Sequence, residues 1–253
     1  MDYTAREMMA IVAAREIRNG EVVFRGTGIS MLAAAAAKHI HAPDAVIFFE
    51  TGAVDSRLDE IPLAVADPRV MAGAAAHGGL LDAFATMQNP KTGARVVGIL
   101  GAAQIDPYGN LNSTAIGDYL EPTVRFAGSG GACDVASTVP RTIIFMRLER
   151  RKFVDRLDYL TSPGHLDGPG ARKAAGLPEG GPRAVVCDRA VMRFDETTRR
   201  MYLAGLYPGE TAEGVIGRMG FAVDISRAGP VPAPTAEELR ILREICDPQR
   251  LIL

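Results

Sequence analysis

The 253-residue sequence contains no tryptophan, and aromatic residues make up only 6% of it. A base-stacking platform for single-stranded nucleic acid needs such side chains in number, so that class of function is not supported. An excess of either charge is also missing. Twenty-eight lysines and arginines nearly balance thirty aspartates and glutamates, for a net charge of −2. Neither nucleic acid nor an anionic membrane surface is indicated as a partner. The three cysteines, Cys133, Cys187 and Cys246, are far apart and odd in number. They give neither a disulfide framework nor metal-ligand spacing. The four histidines lack an HExxH arrangement, so no metal site is expected. No apolar run approaches the roughly 20 residues that span a bilayer. The opening MDYTAREMM is acidic and polar, unlike a secretory signal. The expected setting is soluble and cytoplasmic.

What is present suits an ordinary globular core, with 47% apolar and 23% charged residues. Thr4 and Glu7 make a capping box ahead of Met8, Met9, Ile11 and Val12, which predicts a helix ending near Asn19-Gly20. A strand over Glu21 to Phe24, the turn Gly26-Thr27-Gly28 and an alanine-rich helix over Ser30 to Ile40 then form the opening unit of a parallel sheet. Ala45 to Phe49 is apolar throughout, as befits a strand buried on both faces. Further strands are expected at Val96 to Leu100, Thr142 to Met146 and Arg183 to Cys187, and a short helix at Glu237 to Ile245. Ser162 to Pro182 holds six glycines and four prolines. A loop of that length inside a domain is usually functional or meets a partner. With no linker or repeat in evidence, the reading is a single three-layer αβα domain over 1–253, of α/β class with a mainly parallel sheet.

Four places draw attention for chemistry. Glu50 follows the apolar run directly, at the C-terminal end of a strand, where open α/β sheets place their ligands. A carboxylate there is either a nucleophile that needs no partner base or a solvated strand end. Gly128-Ser129-Gly130-Gly131-Ala132 offers either a cradle of backbone N–H groups for an anion or a tight turn. Gln104 and the turn Asp106-Pro107-Tyr108-Gly109-Asn110 carry hydrogen-bonding side chains. Gly26-Thr27-Gly28 lacks the third glycine of a dinucleotide fingerprint, since Met31 stands in its place. Arg147 to Lys152 is a basic cluster that reads as a solvated face or as a contact for phosphates.

These same segments carry a resemblance. FFETG at 48–52 is similar to the catalytic segment of family I CoA-transferase β subunits. GAAQIDPYGNLNSTAIGDY at 101–119 and RFAGSGGACDVAS at 125–137 resemble two later motifs of those subunits, in the same order. TSPGHLDGPG at 161–170 and FDETTRRMYL at 194–203 resemble the glutaconate branch in particular. Relatives that act on 3-oxo acids often carry Ser-Glu-Asn-Gly where this chain has Phe49-Glu50-Thr51-Gly52, which shifts the substrate expectation and not the chemistry.

The resemblance implies a CoA-transferase-like fold with Glu50 as the residue that carries CoA as a thioester. It implies acyl-CoA and a carboxylic acid as substrates, a dicarboxylic acid such as glutaconate among them, with no permanently bound cofactor. It also implies a homologous α subunit as partner in a heteromer. Gly130, Gly131 and Ala132, with Gln104, Asn110 and Gly28, are the residues expected around the oxyanion and CoA. The alternatives are an acyl-CoA hydrolase, a C–C-cleaving hydrolase or decarboxylase of the same fold, and a non-catalytic ligand-binding relative.

Overall fold

The first helix begins where its capping chemistry dictates. In this computed structural model, which describes residues 2–58 and 61–253, α1 (Ala5–Glu16) opens on Thr4. The Thr4 hydroxyl accepts the Glu7 N–H, and the Glu7 carboxylate accepts the Thr4 N–H. Next come β1 (Val22–Phe24), α2 (Ile29–Ile40) and β2 (Val46–Phe48), in the order the sequence predicts. β1 and β2 are parallel, with Val22 opposite Val46 and Phe24 opposite Phe48. Two short strands, β3 (Ala53–Val54) and β4 (Ala76–His77), continue the sheet antiparallel. After α3 (Leu80–Gln88), β5 (Val96–Gly101) pairs in parallel with the other side of β1. Val23 and Val97, opposite each other at the centre, are fully buried. Strands covered on both faces have to be apolar at every position, and these are.

The chain forms two compact units, one from 1–100 with 233–253 and the other from 101–232. The second contains two antiparallel hairpins. One joins β6 (Gln104–Ile105) and β7 (Leu111–Asn112), the other β8 (Ala115–Gly117) and β9 (Pro122–Arg125). Beyond α4 (Ala132–Thr138), β10 (Arg141–Phe145) pairs in parallel with the strand after the glycine-rich segment. That segment contains only α5 (Ala171–Ala174) and leads into β11 (Pro182–Val186). β12 (Ala190–Phe194) and β13 (Met201–Leu206) follow antiparallel; after α6 (Ala212–Ile216), β14 (Gly229–Pro230) adds in parallel. The last segment returns to the first unit as α7 (Ala236–Arg240), prolonged by a π-helical stretch over Ile241–Cys246. Arg15 holds Glu238 at 2.6 Å, and Arg243 holds the buried Glu7 carboxylate at 2.5 Å. The α/β class and the parallel strands around β1 are as expected. The antiparallel pairs at β2–β4 and β11–β13 are not foreseen by the sequence reading. No helix among the described residues is long and apolar enough to cross a membrane.

The glycine- and proline-rich segment is irregular but tightly held within its unit. Arg172, buried, donates to the carbonyls of Ala136, Ser137, Gly164 and Pro178. Gly164 lies against the Gly109 backbone with no room for a Cβ. His165 beside it is 6% exposed and edge-on to Phe194, ring centroids 5.3 Å apart. Burial first, then the positive Arg199, push its pKa down to about 4. The unfolded chain binds this proton near pH 6.5 while the folded chain refuses it until about 4. Stability from the neutral imidazole is therefore complete above about pH 6.5 and declines as the pH falls toward 4, by at most about 3 kcal/mol. We expect the melting temperature to drop between about pH 6.5 and 4.5 in the wild type and less steeply in His165→Gln. Equal slopes in thermal melts across that range would show that His165 is not the group responsible.

Candidate active site

β2 leads directly into Phe49, which is buried with Ala53 and Val70 in a small cluster flanked by Leu58 and Met71. The Phe49 N–H donates to the Ala53 carbonyl, and the Gly52 N–H donates back to the Phe49 carbonyl, both at 3.0 Å. This closes a tight turn over Glu50 and Thr51. Gly52 has φ of +91°, and a Cβ on it would overlap the Gly78 carbonyl. The Gly78 N–H donates to the Gly52 carbonyl at 2.8 Å, so the two backbones are locked together. Glycine is required at 52 on both counts, conformation and space. Glu50 rides on this turn at the C-terminal end of a parallel strand. It is half-buried, and it forms no hydrogen bond or ion pair among the described residues. The Thr51 hydroxyl beside it is buried and also lacks a partner there. Nothing in the sequence pattern marks that hydroxyl.

Gly28 precedes α2 in the same unit, with φ of +78°. Its carbonyl accepts the Met31 and Leu32 N–H groups, and the space over its α-carbon is open. Of the residues expected around the site, Glu50 and Gly28 belong to the first unit and the others to the second.

In the second unit, Gly128 and Gly130 have φ of +90° and +49°. The Gly128 N–H donates to the Ser113 carbonyl, and Ser113 Oγ donates to the Gly128 carbonyl. The Ala132 N–H turns back onto the Ser129 carbonyl at 2.9 Å, and the Cys133 N–H onto Ser129 Oγ. That leaves the N–H groups of Gly130 and Gly131 without an acceptor among the described residues, at a place where Gly130 is exposed. Two adjacent open amides are what an anion cradle requires. The Ala132 amide, expected as part of that cradle, instead holds the turn.

Gln104 and Asn110 sit at the two ends of the β6–β7 hairpin and are buried. Asn110 Nδ2 donates to Asp106 Oδ2 and the Leu166 carbonyl, and its Oδ1 accepts the N–H groups of Gly164 and Leu166. Every hydrogen-bonding position of the amide is filled by protein. Gln104 Oε1 accepts from Asn112 Nδ2 and from the Asp158 N–H, while its Nε2 donates to Asp158 Oδ2. In this arrangement both side chains brace the hairpin against the later loops, which leaves Asn110 with no free donor for an oxyanion. Burial pushes the Asp106 carboxyl up, and the hydrogen bonds from Asn110 and Tyr108 counter that only in part. In the basic cluster, Glu149 pairs with Arg151 at 2.7 Å and Lys152 at 3.4 Å. Among the described residues no three metal-ligating side chains gather.

The two kinds of glycine predict different outcomes. Gly52→Ala forces a Cβ into a backbone carbonyl and should cost several kcal/mol, roughly 3 or more. Gly130→Ala meets open space and bears only the left-handed penalty of about 1–2 kcal/mol. Chemical denaturation of the two variants measures the difference. Equal losses would mean that the contact between Gly52 and Gly78 does not hold the turn.

Residues 6–217 match the profile of the family described as Coenzyme A transferase. The chain is 44% identical over 254 residues to the β subunit of glutaconate CoA-transferase of Acidaminococcus fermentans, a match covering 98% of this chain and 94% of that protein. It is 36% identical over 245 residues to the β subunit of 3-oxoadipate CoA-transferase of Pseudomonas knackmussii, covering 96% and 93%. The fold superposes on the crystal structure of glutaconate coenzyme A-transferase from Acidaminococcus fermentans with a TM-score of 0.96 at 42% identity, covering 99% and 97% of the two chains. Likeness to the decarboxylase AibA/AibB is weaker, with a TM-score of 0.82 at 26% identity over 99% and 97%. Because the profile runs through both units and the similarity to the glutaconate enzyme's β subunit extends over almost the whole length, the chain belongs to the coenzyme A transferase family, as a β-type subunit of the glutaconate CoA-transferase kind.

Proposed function

We propose that this chain is the nucleophile-bearing β subunit of an acyl-CoA:carboxylate CoA-transferase that works through a glutamyl-CoA thioester on Glu50. The observation that carries the reading is the Glu50 carboxylate, without a partner among the described residues and held on a pinned turn at the end of a parallel strand. A carboxylate with no cation or donor attached keeps its electron pair available for attack. Glu50 attacks the donor thioester carbonyl and expels the CoA thiolate, which leaves a mixed anhydride. The thiolate then attacks the Glu50 carbonyl, forming glutamyl-CoA and releasing the donor acid. The acceptor carboxylate reverses both steps. The thioester bond energy stays on the enzyme, so the exchange balances without ATP. Each attack creates an oxyanion, which requires N–H donors close to the reacting carbonyl.

A dicarboxylic acid is the substrate class we favour, since the relatives' names specify glutaconate and 3-oxoadipate. Those relatives are each named as one subunit of an enzyme, which supports a homologous α subunit here. We read the resulting heteromer as cytoplasmic. Both units present exposed apolar side chains for such a partner. Leu80 and Leu81 lie on the first, and Leu120, Val124 and Phe126 on the second. The profile match through both units supports treating 1–253 as one functional domain.

In the complex with its partner, Glu50→Ala should abolish CoA transfer while melting near the wild type. Glu50→Asp should lose about 10²-fold or more, because a withdrawal by one methylene misplaces the attacking oxygen. Steady-state transfer assays with thermal melts decide this, and full activity in either variant rules Glu50 out.

A further inference from the structure

Arg25 follows β1 directly, and its backbone N–H donates to the Phe48 carbonyl at 3.3 Å, so the sheet fixes its position. The guanidinium carbon lies 4.3 Å from the centroid of the Phe49 ring. The residue is 2% exposed, and neither Nε nor Nη1 has a hydrogen-bond partner among the described residues. Burial lowers its pKa to about 9, which leaves it charged at neutral pH. A buried charge that no described carboxylate or carbonyl answers is costly, and one aromatic face offsets only part of that cost.

Arg25 lines a cleft of about 660 Å³ that lies wholly in the first unit, a size usual for small-molecule sites. Part of its wall is apolar, formed by Met31 and Leu32 from α2, Ile47 from β2, and Ile61. Lys38, which also lines it, is paired with Asp55, and Arg57 and His39 are exposed. Among the described residues, the buried charge left unanswered is that of Arg25. Glu50 is not among the described residues that line this cleft, so the inference stands apart from the assignment of Glu50.

We propose that the cleft binds a carboxylate borne on an apolar chain, with the carboxylate on Arg25 and the chain against Met31, Leu32, Ile47 and Ile61. A planar guanidinium fork matches a carboxylate, and a single buried cation beside an apolar wall balances one negative charge. A phosphate dianion would need a second buried cation. Two sources offer this chemistry: a free organic acid, and the carboxylate at the far end of an acyl-CoA.

The test is calorimetric titration of the purified full chain with hexanoate, hexanol and inorganic phosphate. Hexanoate should bind, and hexanol and phosphate should not. Arg25→Met should weaken hexanoate by roughly tenfold to a hundredfold, the worth of a charge-assisted pair. Without ligand the same variant should melt at or above the wild type, because an unanswered charge has gone. Displacement of hexanoate by glutaryl-CoA and not by acetyl-CoA supports the site with the acyl-CoA as source. Displacement by neither supports it with a free acid. If Arg25→Met does not fold, Arg25→Lys serves, and the loss of the planar fork should weaken hexanoate several-fold. No hexanoate binding, equal binding of hexanol or phosphate, or unchanged affinity in the folded Arg25 variant would overturn the proposal.

Discussion

Gly52 and Gly78 meet backbone to backbone, and the presentation of Glu50 depends on that contact. The hydrogen bond from Gly78 to Gly52 ties the turn after β2 to the short strands that follow it. Because no side chain fits between the two backbones, the turn has little freedom to relax. Phe49, buried beneath, fixes the strand side of the turn and Ala53 the return side. Among the described residues no side chain steadies the carboxylate, which is positioned by its backbone. That arrangement suits the covalent role proposed for Glu50, since among the described residues no hydrogen bond has to be lost when its oxygen becomes an ester or thioester.

The second unit follows a different logic. There a set of buried polar side chains is saturated by each other and by the backbone. Asn110, Gln104, Asn112 and Arg172 join the β6–β7 hairpin, α4 and the glycine-rich segment into one hydrogen-bonded body. Buried networks of this kind specify one arrangement, provided every member is satisfied. Among the described residues, the buried Ser162 hydroxyl lacks a partner, and the amides of Gly130 and Gly131 at the head of α4 stay open.

Much of the frame was legible in the sequence, for local reasons. The capping box at Thr4 and Glu7, the apolar run into Glu50 and the glycine punctuation each reflect short-range physics that a single chain displays. The role of Asn110 was not legible, because its partners Gly164 and Leu166 lie over fifty residues away. The same distance hid why Gly109 and Gly164 are glycines, each crowded by atoms remote in sequence. The antiparallel strands β12 and β13 escaped notice because their alternation is weak beside the stronger apolar runs. Arg25 gave no signal either, since an arginine after a strand reads as solvated until its burial is known.

The central claim is that Glu50 itself carries CoA. Its most direct test is to incubate the assembled enzyme with an acyl-CoA, reduce with borohydride and map the modified peptide by mass spectrometry. The account predicts that the glutamyl thioester is reduced to the alcohol at Glu50, with no other residue altered. An enzyme that transfers CoA while Glu50 is recovered unmodified after that treatment would contradict it.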